Sequence, residues 1–259
     1  MRAWLGHLAL LLVLAGCAPS PPYTGPTYAP EALTTLRYRA VLVAGDPSLE
    51  VWDRAVERLA SGLEAGGTLV PSRLTRMSAR VDRQMQGAEV ATYEAVTGAI
   101  RSLRPAPGEG CLVYLTMHGV PREGLVLIRS RRALGPAALD AALAEGCGDA
   151  PTFVVASGCY SGGFADGVMA RQNRVVLTAS RSDLSSFGCG TRFALTVFDA
   201  CMIASLSQAP RHAQALVEEV RACVDRAERR LGAPASYPQA HIGTAVPGLV
   251  PRFWAGTGG

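Results

Sequence analysis

The sequence predicts an α/β fold in which a mostly parallel sheet carries helices on both faces. Short apolar runs alternate along the chain with segments of helical periodicity, the pattern of strands connected by helices. The runs are almost continuously apolar, as in strands buried on both faces. The chain has 259 residues, of which 49% are hydrophobic, and this length suits one sizeable domain.

Each predicted element follows from a local pattern. The first strand, residues 38–45, ends in Gly45, and the next helix repeats apolar residues from Val51 to Leu63 at helical spacing. A second helix over 93–103 stops at the Pro- and Gly-rich break RPAPGEG. Further strands are predicted at 111–119, 124–128, 152–158 and 174–180, and further helices at 135–146, 192–206 and 212–231. The strand at 124–128 is expected in a hairpin or as a sheet extension.

Two of the predicted strands end in residues that can do chemistry. The strand LVYLTMHG ends in His118, and TFVVASG leads directly into Cys159. Ligands of such sheets bind outside the carboxyl ends of the strands, and a right-handed crossover would make these two strands neighbours. A thiol or an imidazole alone is more often structural, but the coincidence of both at one sheet edge predicts a Cys-His dyad.

Glycines around these residues fit the same interpretation. The backbone N–H groups of Gly119 and Cys159 could hold a developing oxyanion. Gly158, Gly162 and Gly163 would allow a sharp turn after the strand. A helix beginning near Phe164 is expected to direct its N-terminal dipole at the thiol.

The N-terminal segment MRAWLGHLALLLVLAGC predicts export. Arg2 precedes an apolar stretch, residues 8–14, that is too short to span a bilayer. The ending LAGC resembles the lipobox of bacterial lipoproteins, which implies that residues 1–16 are a signal peptide and that Cys17 carries lipid. An ordinary secretion signal is the alternative. Residues 17–36 are then a Pro-rich tether, and the expected location is the cell envelope, at the periplasmic face of the outer membrane rather than the inner membrane.

Composition excludes several other functions. All 25 basic residues are Arg, so mechanisms that need a catalytic or phosphate-binding Lys are absent. The formal net charge of +4 comes without a long basic run, so no nucleic-acid partner is expected. No cofactor is expected either.

The motifs VYLTMHG and VVASGCYSGGF resemble the His and Cys motifs of the legumain (asparaginyl endopeptidase) family of caspase-like cysteine peptidases. VLVAG resembles the first core strand of that family, and RVVLTASRSDLSSFGC its stretch after the Cys strand. The resemblance covers roughly residues 38–203. It implies a caspase-like three-layer sandwich over residues 37–259 and a cysteine endopeptidase that acts on peptide or protein substrates. Cys159 would be the nucleophile and His118 the proton-transfer group.

The resemblance leaves other activities open and the specificity undefined. Some relatives transfer the acyl group to an amine, so a transpeptidase is an alternative, as is a non-catalytic binding lipoprotein. Legumains have an acidic residue after the nucleophile, where this chain has Tyr160. They also have an Arg-His pair after the first strand, where this chain has Asp53 and Arg54.

The pocket residues suggested by the resemblance are Asp53, Arg54, Tyr160, Ser185 and Ser186. Asp53 and Arg54 could equally be solvated charges on an amphipathic helix. Ser185 and Ser186 match serines that border the specificity pocket of the family.

The remaining cysteines predict disulfides rather than a metal site. Cys111 and Cys147 lie near the amino ends of neighbouring parallel strands, so a bridge between them is geometrically reasonable. Cys189, Cys201 and Cys223 are candidates for a second bridge whose pairing the sequence leaves open. No Cys or His pair has close ligand spacing, and no metal is expected.

Overall fold

A computed structural model describes residues 25–254 of the chain. Its core is a seven-stranded sheet with the order β10-β9-β8-β4-β1-β2-β3, in which β10 alone is antiparallel to its neighbour. A small antiparallel sheet, β5-β6-β7, follows β4 in the chain. The strands are β1 (Arg37–Ala44), β2 (Leu69–Ser78), β3 (Glu89–Val90), β4 (Glu109–Thr116), β5 (Gly119–Val120), β6 (Gly124–Leu127), β7 (Arg132–Leu134), β8 (Thr152–Ser157), β9 (Arg174–Thr178) and β10 (Ala240–Ile242).

Helices cover both faces of the large sheet and complete three layers. The helices are α1 (Pro30–Thr34), α2 (Val51–Ala65), α3 (Val81–Gln84), α4 (Tyr93–Arg101), α5 (Pro136–Cys147), α6 (Val197–Ser207) and α7 (Ala213–Leu231). One apolar core lies between the sheet and α2, α6 and α7. The other lies between the sheet and α4, α5 and the small sheet. The predicted α/β three-layer sandwich is therefore confirmed.

Two disulfides and one ionic cluster cross-link the elements of the fold. A disulfide joins Cys111 of β4 to Cys147 at the end of α5, the pair expected from the sequence. A second disulfide joins Cys201 of α6 to Cys223 of α7, which leaves Cys189 as a free thiol.

Arg174, at the start of β9, is almost fully buried and forms a 2.7 Å ion pair with Asp140 of α5. Arg171 pairs with the same carboxylate. Burial alone would raise the pKa of Asp140, but hydrogen bonds and charge from Arg171 and Arg174 outweigh it and hold the pKa below its ordinary value.

Several predicted elements differ in detail. Helix α6 begins at Val197 instead of residue 192, because the Thr196 hydroxyl accepts the N–H of Asp199 and caps the helix there. Strand β2 was not predicted, because its half-exposed sequence LVPSRLTRMS contains no apolar run. The packed structure begins before residue 37, the expected start of the domain, since Leu33 of α1 and Leu36 are buried against the core.

The expected helix near Phe164 is absent from the structure. Two short 3₁₀ segments, Ser161–Ala165 and Gly167–Met169, take its place. Tyr160 adopts a left-handed conformation with φ of 60°, and the Ser161 hydroxyl accepts N–H groups from Ala179 and Ser180 after β9. These contacts hold the chain at the sheet edge, and no regular helix forms after Cys159. The expectation that a helix dipole acts on the thiol is therefore wrong.

Candidate active site

Neighbouring strands bring His118 and Cys159 to the same edge of the sheet. Strands β4 and β8 pair in parallel, with Thr116 opposite Ser157 at their carboxyl ends. The next bond continues this register, because the N–H of Met117 donates to the carbonyl of Ser157 over 3.1 Å. His118 and Cys159 follow within one and two residues of that bond, as the topology argument from the sequence required.

The two loops that carry these residues contact each other through their backbones. A Cβ atom added to Gly119 would lie 1.9 Å from the carbonyl oxygen of Cys159, so only glycine permits this approach. Gly158 is similarly close to the carbonyl of Met117, where a Cβ would lie 2.7 Å away. Main-chain packing on both sides therefore fixes how closely the two loops that carry His118 and Cys159 approach each other.

The Cys159 sulfur lies against Ser186 and is partly exposed. The N–H of Ser186 donates to Sγ over 3.3 Å, while the Ser186 carbonyl and hydroxyl oxygens are each 3.6 Å from it. The sulfur therefore accepts one backbone N–H and can donate its own hydrogen to the Ser186 carbonyl, so Ser186 fixes the position of the thiol.

His118 is exposed on one side and packed on the other. Its ring contacts the fully buried indole of Trp52 edge to face, with ring centroids 4.8 Å apart and an interplanar angle of 73°. Trp52 lies in the first turn of α2, which follows β1 into the same sheet edge. The indole therefore limits the directions in which the imidazole can point.

The backbone N–H groups expected to bind an oxyanion have no competing partner in the strand ladder. The N–H of Val126 donates to the carbonyl of His118. Gly119 and Leu125 are therefore a non-hydrogen-bonded pair of the antiparallel ladder, in which the N–H of each residue points away from the other strand. Within residues 25–254, the N–H of Cys159 contacts no acceptor. Their joint role in holding an oxyanion remains a prediction.

Three of the five expected pocket residues lie beside the thiol. Tyr160 follows Cys159, its N–H donates to the carbonyl of Leu184, and its hydroxyl is 3.2 Å from the Ser185 hydroxyl. Ser186 contacts the sulfur itself. All three side chains are partly exposed.

Asp53 is not placed to line a pocket. Its carboxylate is buried, and Oδ1 accepts the Ser78 hydroxyl over 2.6 Å. Burial raises the pKa of Asp53 against the opposing effects of that hydrogen bond and of nearby Arg charges. The solvated alternative is therefore wrong for this residue, because α2 directs the carboxylate at the end of β2. The pocket role stays a prediction that this geometry does not support.

Arg54 ties two segments together instead of facing substrate. Its guanidinium donates to the carbonyls of Phe193 and Ala194 over 2.9 and 2.8 Å, and it pairs with Glu50 over 2.8 Å. These bonds use the donors that would recognise an acidic side chain. Arg54 therefore connects α2 to the segment before α6, and the expected pocket role is not supported by this geometry.

Buried polar groups lie beneath the site. Asp199 of α6 accepts hydroxyl hydrogens from Thr116 and Thr196 over 2.9 and 2.8 Å, so it joins the start of α6 to the end of β4. Burial raises its pKa.

Burial, followed by the charges of Cys159, Asp199 and Asp46, raises the pKa of the Cys189 thiol to about 12. Cys189 is therefore a protonated, structural thiol.

Sequence reasoning missed Trp52 and the Ser186 N–H as parts of the site. Trp52 falls within the apolar periodic pattern of α2, and its place in the first turn of that helix puts it against His118. A backbone donor such as the Ser186 N–H has no side-chain signal.

In the described part of the chain, no three His, Cys, Asp or Glu residues cluster as a metal ion would require.

Fold and site together define a caspase-like α/β domain with a thiol and an imidazole on adjacent strands. The chain aligns with caspase-1 from Spodoptera frugiperda with a TM-score of 0.53 and 12% identity, over 92% of this chain and 95% of that one. It aligns with pro-sf-caspase-1 with a TM-score of 0.51 and 11% identity, over 81% and 92% of the two chains. At these identities the likeness shows the fold alone.

The family is shown by the sequence. Residues 83–245 match the model of the Peptidase C13 family, and the chain belongs to that family, the legumain family. No curated protein matches the chain significantly. Membership implies a cysteine peptidase and a peptide or protein substrate. The match includes both His118 and Cys159 and extends beyond them to the end of β10.

Proposed function

We propose that the protein is a lipid-anchored endopeptidase of the bacterial cell envelope that cleaves peptide bonds with Cys159 and His118. The observation that carries the proposal is the backbone contact between Gly119 and Cys159, which holds the imidazole-bearing and thiol-bearing loops together. An exposed His and a partly exposed thiol with a backbone donor on its sulfur form a nucleophile and base pair.

The mechanism divides amide hydrolysis into two steps. The Cys159 thiol gives its proton to His118 and its sulfur attacks the carbonyl carbon, while the N–H groups of Gly119 and Cys159 receive the developing oxyanion. His118 passes that proton to the leaving amine as the carbon–nitrogen bond breaks, which leaves a thioester on Cys159. Water, deprotonated by His118, then attacks the thioester. The carbon–sulfur bond breaks, the carboxylic acid is released, and His118 returns the proton to the Cys159 sulfur.

A panel of fluorogenic peptides that varies the residue before the cleaved bond tests the activity. The parent protein and Cys159→Ala are compared, with Cys189→Ala as the matched thiol control. Cleavage by the parent and by Cys189→Ala, but not by Cys159→Ala, supports the proposal. Acyl transfer to an added amine in place of hydrolysis would identify a transpeptidase. Neither reaction on any peptide would favour a non-catalytic binding lipoprotein.

The cellular location rests on the N-terminal sequence. Residues 1–24, including Cys17, lie outside the described residues. Within residues 25–254, no helix is both long and apolar enough to cross a membrane. Lipid on Cys17 would supply the anchor, so Cys17→Ser should move the protein from the membrane fraction to the soluble envelope fraction. Membrane retention of that variant would contradict the lipoprotein assignment.

A further inference from the structure

A cavity of about 440 Å³ lies away from the thiol, between α7 and the segment that leads into β10. Its lining is mostly apolar and includes Ala222 of α7 with Ala235, Tyr237 and Pro238 of the facing segment. The Tyr237 ring is 57% exposed, and its backbone adopts a left-handed conformation with φ of 52°. The volume is in the range of small-ligand sites in proteins.

A buried carboxylate without a positive partner lies in this cavity. Glu228 is 3% exposed, and its Oε2 accepts the N–H of Ser236 over 3.0 Å. Its Oε1 is buried and has no hydrogen-bond partner in the described part of the chain. A buried carboxylate oxygen in this state is unfavourable, so the position favours a ligand that donates to it.

The position of Glu228 in α7 also favours a positively charged ligand. It lies in the last turn of α7, where the helix dipole disfavours an anion. Two other charged side chains share the cavity lining: Arg221, of which one guanidinium N–H is engaged, and Asp225. Arg221 donates to the Pro238 carbonyl over 2.9 Å, and Asp225 pairs with Arg229.

We infer that this cavity binds the arginine side chain of a polypeptide. Its guanidinium would donate to Glu228, and its methylene groups would pack on Ala222 and Pro238. The Arg181 guanidinium already lies 5.6 Å from the centroid of the partly exposed Tyr237 ring, so this ring accepts a planar cation on its face. A small inorganic cation would leave the apolar lining unused, and a neutral ligand would leave the charge of Glu228 unpaired.

The cavity also adjoins the segment that holds the catalytic sulfur. The carbonyl of Ser236 accepts the N–H of Arg181 over 2.9 Å, and residues 181–186 continue from there to the Ser186 N–H on Cys159. A polypeptide bound in the cavity is therefore one short segment away from the site. The inference is independent of catalysis, because the cavity contains neither His118 nor Cys159.

Ligand-observed NMR on the Cys159→Ala protein tests the inference without turnover. The probes are N-acetyl-arginine amide and its uncharged isostere N-acetyl-citrulline amide. We expect the arginine probe to bind at least about tenfold more tightly, since a charge-assisted hydrogen bond is lost with citrulline. Glu228→Gln should remove this preference while still accepting the Ser236 N–H, and Asp225→Asn should change affinity less than about threefold.

A second variant keeps the test decisive if Glu228→Gln fails to fold. Ala222 is exposed on α7, so Ala222→Trp fills the cavity from the helix surface and should abolish binding of the arginine probe. Equal binding of the two probes, no binding of the arginine probe at about 10 mM, or unchanged binding in Ala222→Trp would each overturn the inference.

Discussion

The two ends of strands β4 and β8 are built in opposite ways. At the amino ends, the Cys111–Cys147 disulfide and the Asp140–Arg174 ion pair connect the sheet to α5. At the carboxyl ends, His118 is exposed, the thiol of Cys159 is partly open, and the Cys159 N–H has no acceptor among residues 25–254.

This difference separates the sources of stability from the sources of activity. The amino ends contain buried and cross-linked groups whose loss should unfold the domain. The carboxyl ends contain groups left free for a substrate, whose loss should stop chemistry and spare the fold. Substitutions at the two ends should therefore affect different measurements, and each prediction below tests that separation.

The largest expected effect is at the catalytic pair. Cys159→Ala and His118→Ala should each lower kcat/KM by roughly 10³-fold or more, because nucleophile and proton transfer act as a unit. Unfolding free energy should change by less than about 1 kcal/mol, since both side chains are at least partly exposed. Peptide turnover and urea unfolding measure the two effects. Residual hydrolysis by Cys159→Ala would show that another nucleophile is at work.

At the opposite end, Asp140→Asn should cost about 3–5 kcal/mol of unfolding free energy, because it leaves Arg174 buried without its counter-charge. The pKa of Asp140 lies below its ordinary value of 3.8, so its contribution is complete above that pH and is lost as pH falls through the lowered pKa. Urea unfolding measured at several pH values should therefore show that the free energy of unfolding falls less steeply in acid for the variant than for the parent protein.

The matched control for Asp140 is Asp183→Asn, which breaks the exposed pair with Arg181. Surface pairs contribute little, so this change should leave the free energy of unfolding almost unchanged. Equal losses in the two variants would remove the distinction between the buried and exposed pairs.

Replacing both Cys111 and Cys147 by Ser should lower the unfolding free energy by about 2–4 kcal/mol, mainly by releasing the unfolded chain. The bridge joins β4 to α5 far from the thiol, so kcat of the folded protein should stay within about twofold. Turnover measured well below the unfolding midpoint checks this. A large fall in kcat would show that the amino ends also control the catalytic geometry.

Gly119→Ala should reduce kcat/KM by about 10²-fold, because its Cβ cannot coexist with the Cys159 carbonyl 1.9 Å away and the loops must separate. Gly163→Ala is the control, since its Cβ would meet only the Pro136 ring at an ordinary 3.7 Å. Steady-state kinetics on both variants compares them. Full activity in Gly119→Ala would show that the backbone contact is not what positions the pair.

The smallest expected effect is that of Ser186→Ala. The hydroxyl lies 3.6 Å from the sulfur, but the backbone N–H at 3.3 Å is retained in the variant. We expect less than about a tenfold loss in kcat/KM. A loss close to that of Cys159→Ala would assign the stabilising contact to the hydroxyl instead of the backbone.

The sequence predicts the elements that are buried on both sides. Strands β4 and β8 are continuous apolar runs, and parallel pairing follows from the helix between them, so the meeting of His118 and Cys159 was predictable. Strand β2 was not, because most of its residues are partly exposed and carry no periodic signal. The Cys111–Cys147 pair followed from strand topology, whereas the choice among Cys189, Cys201 and Cys223 depended on how α6 packs on α7.

Specific side-chain partners were the least predictable part of the site. Asp53 and Arg54 are acidic and basic at the right place in the chain, but Ser78 and the carbonyls of Phe193 and Ala194 engage them. These partners lie 25 and about 140 residues away in sequence. A local pattern has no information on contacts of that range.

The backbone contact between Gly119 and Cys159 has a consequence for how such a peptidase diversifies. The separation of the two loops that carry the imidazole and the thiol follows from this backbone contact and from the register of β4 and β8. If Ser185 lines the substrate pocket as expected, a change of its side chain would therefore alter which peptides are accepted while the chemistry stays constant. An insertion of one residue after β4 or β8 would have the opposite outcome, since it would move one partner out of reach.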